Sequence, residues 1–445
     1  MKIVRIGAGA GFSGDRIDPA VELAEKGDIE YLVFECLAER TIALAQQARR
    51  LDPEGGFDPL LDQRFEAVLQ TCVRRGIKII TNMGAANPKA AAARVAEIAR
   101  SRQLYGLKIA AVTGDDVLEE LRRHDATLLD SRDRASSLGD AIFSANAYTG
   151  AGPIVDALAK GADIVITGRV ADPALFLGPM IYEFGWAMDD WEKLGRGTAI
   201  GHLLECGGQV SGGYFADPGK KEVADLARLG FPIAEVNEQG DAVITKVPGS
   251  GGRVGVDTCT EQLLYEVHDP KKYLQPDVTA DFSHIELNDV GPDRVAVTGA
   301  GGTQRPDMLK TSIGYLDGYI GEGQISYAGP NALARGRLAL QILEERFRLR
   351  KIDATETRFE LIGVDSILSG RGTEILEPKE VRVRAVGRTR TLAEAERIGR
   401  EVEGLYTAGP AAGGGAQRYV REVMAIKSAL VPRDWVRPAI AIEVS

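Results

Sequence analysis

The sequence predicts an α/β fold: an N-terminal three-layer α/β domain with a mostly parallel sheet, followed by a C-terminal α+β domain. Three observations predict it. Five short Ile- and Val-rich runs recur before residue 170 without strict apolar–polar alternation, as strands buried on both faces do. Amphipathic stretches separate these runs, which makes βαβ units. Beyond residue 224 the pattern changes to hairpins and one long helix, so the expected domains are residues 1–224 and 225–445.

The parallel strands are read at "KIVRIGAG" (2–9), "IEYLVFEC" (29–36), "IKIITNMG" (77–84), "LKIAAVTG" (107–114) and "ADIVITGR" (162–169). Helices lie between them, at "PKAAAARVAEIARSRQL" (88–104) and "GPIVDALAKG" (152–161) among others. Asp18-Pro19, Asn87-Pro88 and Asp172-Pro173 mark helix starts. The Asp or Asn side chain caps free N–H groups, and proline at the first helical position loses no bond. In the second half, residues 231–247 and 284–300 read as hairpins, and 309–329 as two antiparallel strands. A long helix covers 332–350, and a strand follows at 357–368. Thr258 and Glu261 suggest a capping box for a helix near 258–266.

Lys and Arg number 54 and Asp and Glu 64, for a net charge of −10, which argues against nucleic acid as a partner. The four cysteines, at 36, 72, 206 and 259, form no CxxC pair, as expected for free thiols in a reducing cytoplasm. The chain opens on a strand pattern rather than a signal peptide, and it has no apolar run long enough to span a membrane.

In an open α/β sheet, ligands bind beyond the carboxyl ends of the strands. The residues expected there are Asp15, Arg16, Glu35, Asn82, Asn87, Asp115, Arg169 and Asp172. Asp15 and Glu35 suit proton transfer or a divalent metal. Arg169 suits a carboxylate or phosphate, through its bidentate fork, or pairs with Asp15 or Glu35. Asp115 and Asp172 read as caps, and Asn82 and Asn87 as groups that orient a substrate. His202, Glu205 and Gln209 share a helical face, with His202 and Glu205 at the i,i+3 spacing of a proton relay. Arg253 and Arg418 follow glycine-rich loops that resemble anion nests.

One motif points elsewhere. Gly9, Gly11 and Gly14 match G-x-G-x-x-G after a strand, and Glu35 ends the next strand where a ribose-binding acid belongs. This is the alternative of an oxidoreductase using NAD(P) or a flavin. Against it, Asp15 would oppose a pyrophosphate, and the Asp18-Pro19 helix start comes late.

The blocks "GDIEYLVFECLAE", "IKIITNMGAANP", "GADIVITGRVADPALFLGPMIYEFGW", "GHLLECGGQVSGGYFADPG", "DTCTEQLLYEVHDPKKYLQPDV" and "IGEGQISYAGP" resemble, in this order, the acyclic terpene utilisation family AtuA. The resemblance runs from the first strand to about residue 370. The family is named for an operon that degrades citronellol and geraniol through branched acyl-CoA intermediates. The resemblance implies a pathway more than a reaction, and a gene neighbourhood that includes a small partner protein. It also makes Asp15, in "GFSGD", a family feature rather than part of a dinucleotide loop.

The resulting expectation is a catabolic enzyme, forming a homo-oligomer, that acts on a branched hydroxy acid or its CoA thioester in a lyase or hydratase step. Asp15, Glu35, His202 and Glu205 are the expected catalytic groups. Arg16, Asn82, Asn87, Arg169, Asp172, Arg253 and Arg418 are the expected binding groups. A non-catalytic subunit of a two-protein complex is a third reading.

Overall fold

A computed structural model describes residues 2–367 and 378–445. The five expected parallel strands form as β1 (Ile3–Ala10), β2 (Tyr31–Phe34), β3 (Lys78–Thr81), β4 (Lys108–Thr113) and, after β5 (Ile142–Ala147), β6 (Ile164–Thr167). Then come β7 (Pro232–Asn237), β8 (Ala242–Lys246), β9 (Tyr273–Leu274), β10 (Thr279–Asp281), β11 (Glu286–Gly291), β12 (Arg294–Thr298) and β13 (Gly301–Thr303). The last strands are β14 (Met308–Ala328), β15 (Ala354–Ile362), β16 (Glu380–Thr389), β17 (Gly414–Pro432) and β18 (Ala439–Val444).

Helices α1 (Asp18–Lys26), α2 (Glu39–Leu51), α3 (Leu61–Arg75), α4 (Pro88–Ser101), α5 (Leu118–His124) and α6 (Gly152–Ala159) come first. They are followed by α7 (Ala174–Phe184), α8 (Trp191–Glu205), α9 (Val256–Leu264), α10 (Ala332–Leu349), α11 (Leu392–Glu403) and α12 (Leu405–Ala408).

Among the described residues, ten strands form one sheet in the order β11-β12-β8-β7-β1-β2-β3-β6-β4-β18. Its centre, from β1 to β4, is parallel throughout. Strand residues alternate between two cores, which makes the three layers. Ile6, Val33, Ile80 and Val165 pack on one face with Leu175 of α7 and Leu203 of α8. Leu32, Phe34, Ile79 and Ile166 pack on the other with Leu23 of α1, Phe65 of α3 and Val95 of α4. Burial on both faces is why these strands lack alternation.

The hairpins expected at 231–247 and 284–300 form as β7–β8 and β11–β12. Both extend the same sheet with antiparallel strands, so strands from beyond residue 224 complete the N-terminal layer. The chain divides into two compact units, residues 1–314 with 426–445, and residues 315–425. The expected division at 224 falls inside the first unit. In the second unit, β15 and β14 flank β16, and α10 and α11 cover the sheet around Ile325, Leu343, Val383 and Ile398.

Four local expectations are corrected. Residues 309–329 form one strand, β14, not two: Gly318 takes a positive φ of 88°, but the chain does not reverse, and Tyr319–Ala328 pair continuously with β16. The strand read at 357–368 spans Ala354–Ile362, and Leu368 lies outside the described residues. Asp18 sits in the first turn of α1 and caps nothing, whereas Asn87 does cap α4, accepting from the Ala90 N–H. Thr258 closes the start of α9 by accepting from the Gly255 N–H at 3.0 Å, and Glu261 pairs with Lys221 instead of completing the box.

Candidate active site

The carboxyl ends of β1, β2 and β6 open into a cavity of about 880 Å³ in the first unit. Asp15, Arg16, Glu35, Asp172, Glu205 and Gln209 line it, so one crevice gathers these expected residues.

The loop after β1 is held from below. Arg64 of α3, fully buried, donates to the carbonyls of Phe12, Ser13 and Asp15 at 3.3, 2.9 and 3.3 Å. Asp15 accepts from the N–H groups of Gly11 and Arg16, both at 2.9 Å. Burial nevertheless lifts its pKa, against those bonds and the charges of Arg64 and Arg16. A Cβ on Gly11 would stand 2.3 Å from the Cys206 carbonyl carbon, so glycine is what lets this loop abut the end of α8. Gly9 and Gly14 are likewise packed, against the rings of Phe34 and Phe12. The Gly11 N–H, which a pyrophosphate would need, is already bonded to Asp15, and α1 starts only at Asp18. The glycines therefore have a packing explanation.

Glu35 ends β2 and is buried. Its Oε1 accepts from the Leu37 N–H and from Asn82 Nδ2, both at 2.9 Å. Asn82 also accepts from the Cys36 N–H at 2.7 Å. Asn82 thus positions Glu35 from behind and does not line the cavity. Burial, with the like charge of Asp172, pushes the Glu35 pKa well above the usual carboxylate range; Asn82, Leu37 and Arg169 oppose this.

Arg169, at the end of β6, is 1% exposed and does not line the cavity. Its Nη2 donates to Asp172 at 2.8 Å, and its guanidinium stacks 4.0 Å over the Tyr148 ring. The anion that meets it is therefore Asp172, not Asp15 or Glu35. Asp172 is correspondingly no cap; α7 begins at Ala174 without a side-chain cap. Asp115 is no cap either. It is buried, accepts from the Arg169 N–H at 2.9 Å and from Asn146 at 2.8 Å, and so pins the turn that carries Arg169. Burial raises the Asp115 pKa to about 6. Asp172 rises to about 7: burial and the charges of Glu205, Glu39 and Glu266 outweigh Arg169.

A second lip of the cavity carries residues that the sequence reading missed. Glu39, at the start of α2, accepts from the Tyr148 hydroxyl and pairs with Lys310 at 3.0 Å. Burial pushes this carboxyl up, but Tyr148, Arg169 and Lys310 outweigh it and bring its pKa to about 2. Glu39 lies four residues past Glu35 in the same strand-to-helix turn, so the carboxyl-end rule could have found it. Tyr148 follows β5, a strand unread in the sequence, and Lys310 is distant in the chain.

His202 and Glu205 do meet, Nδ1 to Oε1 at 2.7 Å, one turn apart on α8. Both are buried. Burial lowers the His202 pKa, but Glu205 more than reverses this, while burial raises that of Glu205. His202 stands behind Glu205, near the rings of Tyr273 and Phe282. Burial also pushes up the neighbouring Cys206 thiol, so it is a poor thiolate.

Three expected binding residues lie elsewhere. Asn87 spends its amide on the carbonyls of Pro53 and Gly55. Arg253 pairs with Asp257 beside Phe215. Arg418 is in the second unit, paired with Glu403 at 3.5 Å. Among the described residues, no three His, Cys, Asp or Glu groups come together in a way that could hold a metal ion, and no helix is long and apolar enough to cross a membrane.

A family model described as acyclic terpene utilisation family protein AtuA matches residues 4–442. The chain belongs to that family. Membership in AtuA is consistent with a catabolic role in acyclic terpene utilisation, and it extends the resemblance in the sequence blocks through β18. No curated protein and no solved structure matches the chain.

Proposed function

We propose that this AtuA chain is a catabolic enzyme acting on a small anionic substrate, a branched hydroxy acid or its CoA thioester, through a lyase- or hydratase-type step. The observation that carries the reading is the divergence of carboxyls around one cavity: burial raises Glu35, and raises Asp172 to about 7, whereas Tyr148, Arg169 and Lys310 bring Glu39 down to about 2. Carboxyls driven apart by their surroundings divide the roles of acid and base.

In dehydration of a 3-hydroxy acid, the base takes a proton from C2 and the C3–O bond breaks. The acid protonates the departing hydroxyl, which leaves as water. We assign Glu39 the first task and Asp172, raised by burial and by neighbouring carboxyls, the second. Asn82 positions Glu35, and Arg169 positions Asp172. Among the described residues, Lys310 and Arg16, not Arg169, are the cations that line the cavity, and a substrate carboxylate would have to compete there with Glu39 and the Leu226 and Ala227 carbonyls.

The test is deuterium exchange in D₂O. A panel of branched 3-hydroxy acids and their thioesters is incubated with the purified protein, and C2 deuteration and enoate formation are followed by NMR. The wild type is expected to exchange at least one member. Asp172→Asn and Glu39→Gln should each slow it roughly 10²-fold or more, as expected for loss of a general acid or base. Absence of exchange across the whole panel with the wild type refutes the reading.

A further inference from the structure

The cavity is polarised from floor to mouth. Glu35 and Glu205, each 7% exposed, lie deep in it. The mouth is ringed by large side chains that face solvent: Tyr214 is 87% exposed, Phe12 59%, Leu274 55%, Leu129 52% and Leu430 45%. Single exposed apolar residues are ordinary, but a ring of them around one opening marks a binding surface.

The charges show a second asymmetry. Among the described residues, six carboxyl side chains line the cavity, at Asp15, Glu35, Glu39, Asp172, Glu205 and Glu266, against the two cations Arg16 and Lys310. Both cations already have partners. Lys310 pairs with Glu39, and Arg16 donates to the carbonyls of Leu226 and Ala227 at 2.8 and 3.2 Å.

Coenzyme A brings a diphosphate and a 3′-phosphate. A site for it needs arginines, lysines or free N–H groups near the opening. The mouth offers an apolar ring, and the lining as a whole an excess of acid. A free branched acid brings one negative charge in place of several, and an apolar tail: the polar head goes inward to the polar floor, and the tail lies against the ring.

We infer that the cavity takes its ligand head first, as the free acid with its hydrocarbon tail on the Tyr214–Leu274 ring, and discriminates against the CoA thioester. This rests on the branched-acid reading above and chooses between its two substrate forms.

The experiment is calorimetric titration of the full chain with branched 3-hydroxy acids of increasing tail length, each as free acid and as CoA thioester. The acids should tighten about fourfold per added methylene until the tail passes the ring, as expected for burial of each CH₂. The double variant Tyr214→Ala/Leu274→Ala, altered only at exposed positions, should lose that gain for long tails and keep the affinity for short ones. Each thioester should bind at least tenfold more weakly than its acid, with the gap narrowing as salt screens the acidic lining.

Thioesters that match or exceed the acids overturn the inference and leave the branched-acid reading standing. Acids whose affinity ignores tail length, or a double variant indistinguishable from wild type on long tails, overturn it in the same way. Failure of every acid and every thioester to bind refutes the parent reading and the inference together.

Discussion

Two lips of one cavity hold the same functional group in opposite states. On one, Asp172 is raised to about 7 although an arginine touches it. On the other, Glu39 is brought down to about 2 although it too is buried in part. The difference lies first in burial, which weighs most at Asp172, and then in the charges and hydrogen bonds that surround each. Asp172 has Arg169 on one side but stands among Glu35, Glu205, Glu39 and Glu266. Glu39 takes a hydroxyl bond from Tyr148 and the charges of Arg169 and Lys310. A salt bridge therefore does not by itself set a protonation state here; burial together with the local charge balance does.

The comparison breaks most severely at Arg169, the cation both lips share. It is the buried partner of Asp172 and stacks on the ring that hydrogen-bonds Glu39. Truncating one member of a buried ion pair leaves the other uncompensated and costs about 3–5 kcal/mol. The Asp172 side chain is 33% exposed, so Arg169→Ala is expected to lose less than that, roughly 2–3 kcal/mol, in urea unfolding at neutral pH. A loss below about 1 kcal/mol would mean that Asp172 simply takes up a proton and that the pair was never important to the fold.

Much of this architecture is legible in the sequence, for physical reasons that differ by residue. The central strands announce themselves because burial on both faces demands unbroken Ile and Val, as in "IEYLVFEC" and "ADIVITGR". Asp15, Glu35 and Asp172 follow from one rule about strand ends. His202 and Glu205 follow from helical spacing, and α8 brings them to 2.7 Å. What fails is the sorting of roles. Asp172 and Asp115 look like caps because Asp before a helix usually is one, and the sequence does not show which carboxylate a buried arginine will choose. Arg253 and Arg418 looked like anion sites because glycine-rich loops precede them, yet each spends its charge on a local acid, Asp257 and Glu403. Lys310 and Tyr148 were invisible because only tertiary folding brings them to Glu39.

Asn82 gives a smaller and more selective perturbation of the Asp172 lip. Its amide holds Glu35 and the Cys36 N–H at once, in a fully buried position. Removing it strands a buried N–H and deprives Glu35 of a donor, each a loss of about 1–3 kcal/mol at most. Asn82→Ala is expected to destabilise the protein by roughly 2 kcal/mol, and to raise the Glu35 pKa further, since Asn82 is the largest influence holding it down. Asn82→Asp at low pH, where the new carboxyl is protonated and can donate, should recover part of the stability. Equal losses for Asn82→Ala at pH 5 and pH 8 would show that the amide does not act on Glu35's charge.

The gentlest test reads the two lips against each other by pH. Asp172 keeps its proton in the folded chain to a higher pH than the ordinary value of 3.8 allows in the unfolded chain. Its contribution is therefore full below pH 3.8 and is lost as the pH rises toward about 7. Glu39 has the opposite sign: its contribution is full above its ordinary 4.5 and is lost as the pH falls toward about 2. Asp172→Asn should flatten the decline of stability between pH 4 and pH 7 and leave the acid limb unchanged. Glu39→Gln should flatten the acid limb and leave the neutral range unchanged. The Glu39 effect should be below about 1 kcal/mol, because its side chain is 38% exposed and solvent screens the pairing with Lys310. Urea midpoints at half-unit pH steps would measure both slopes. Should the two variants alter the same limb, the carboxyls titrate as one coupled set, and the division into an acid lip and an ionised lip is wrong.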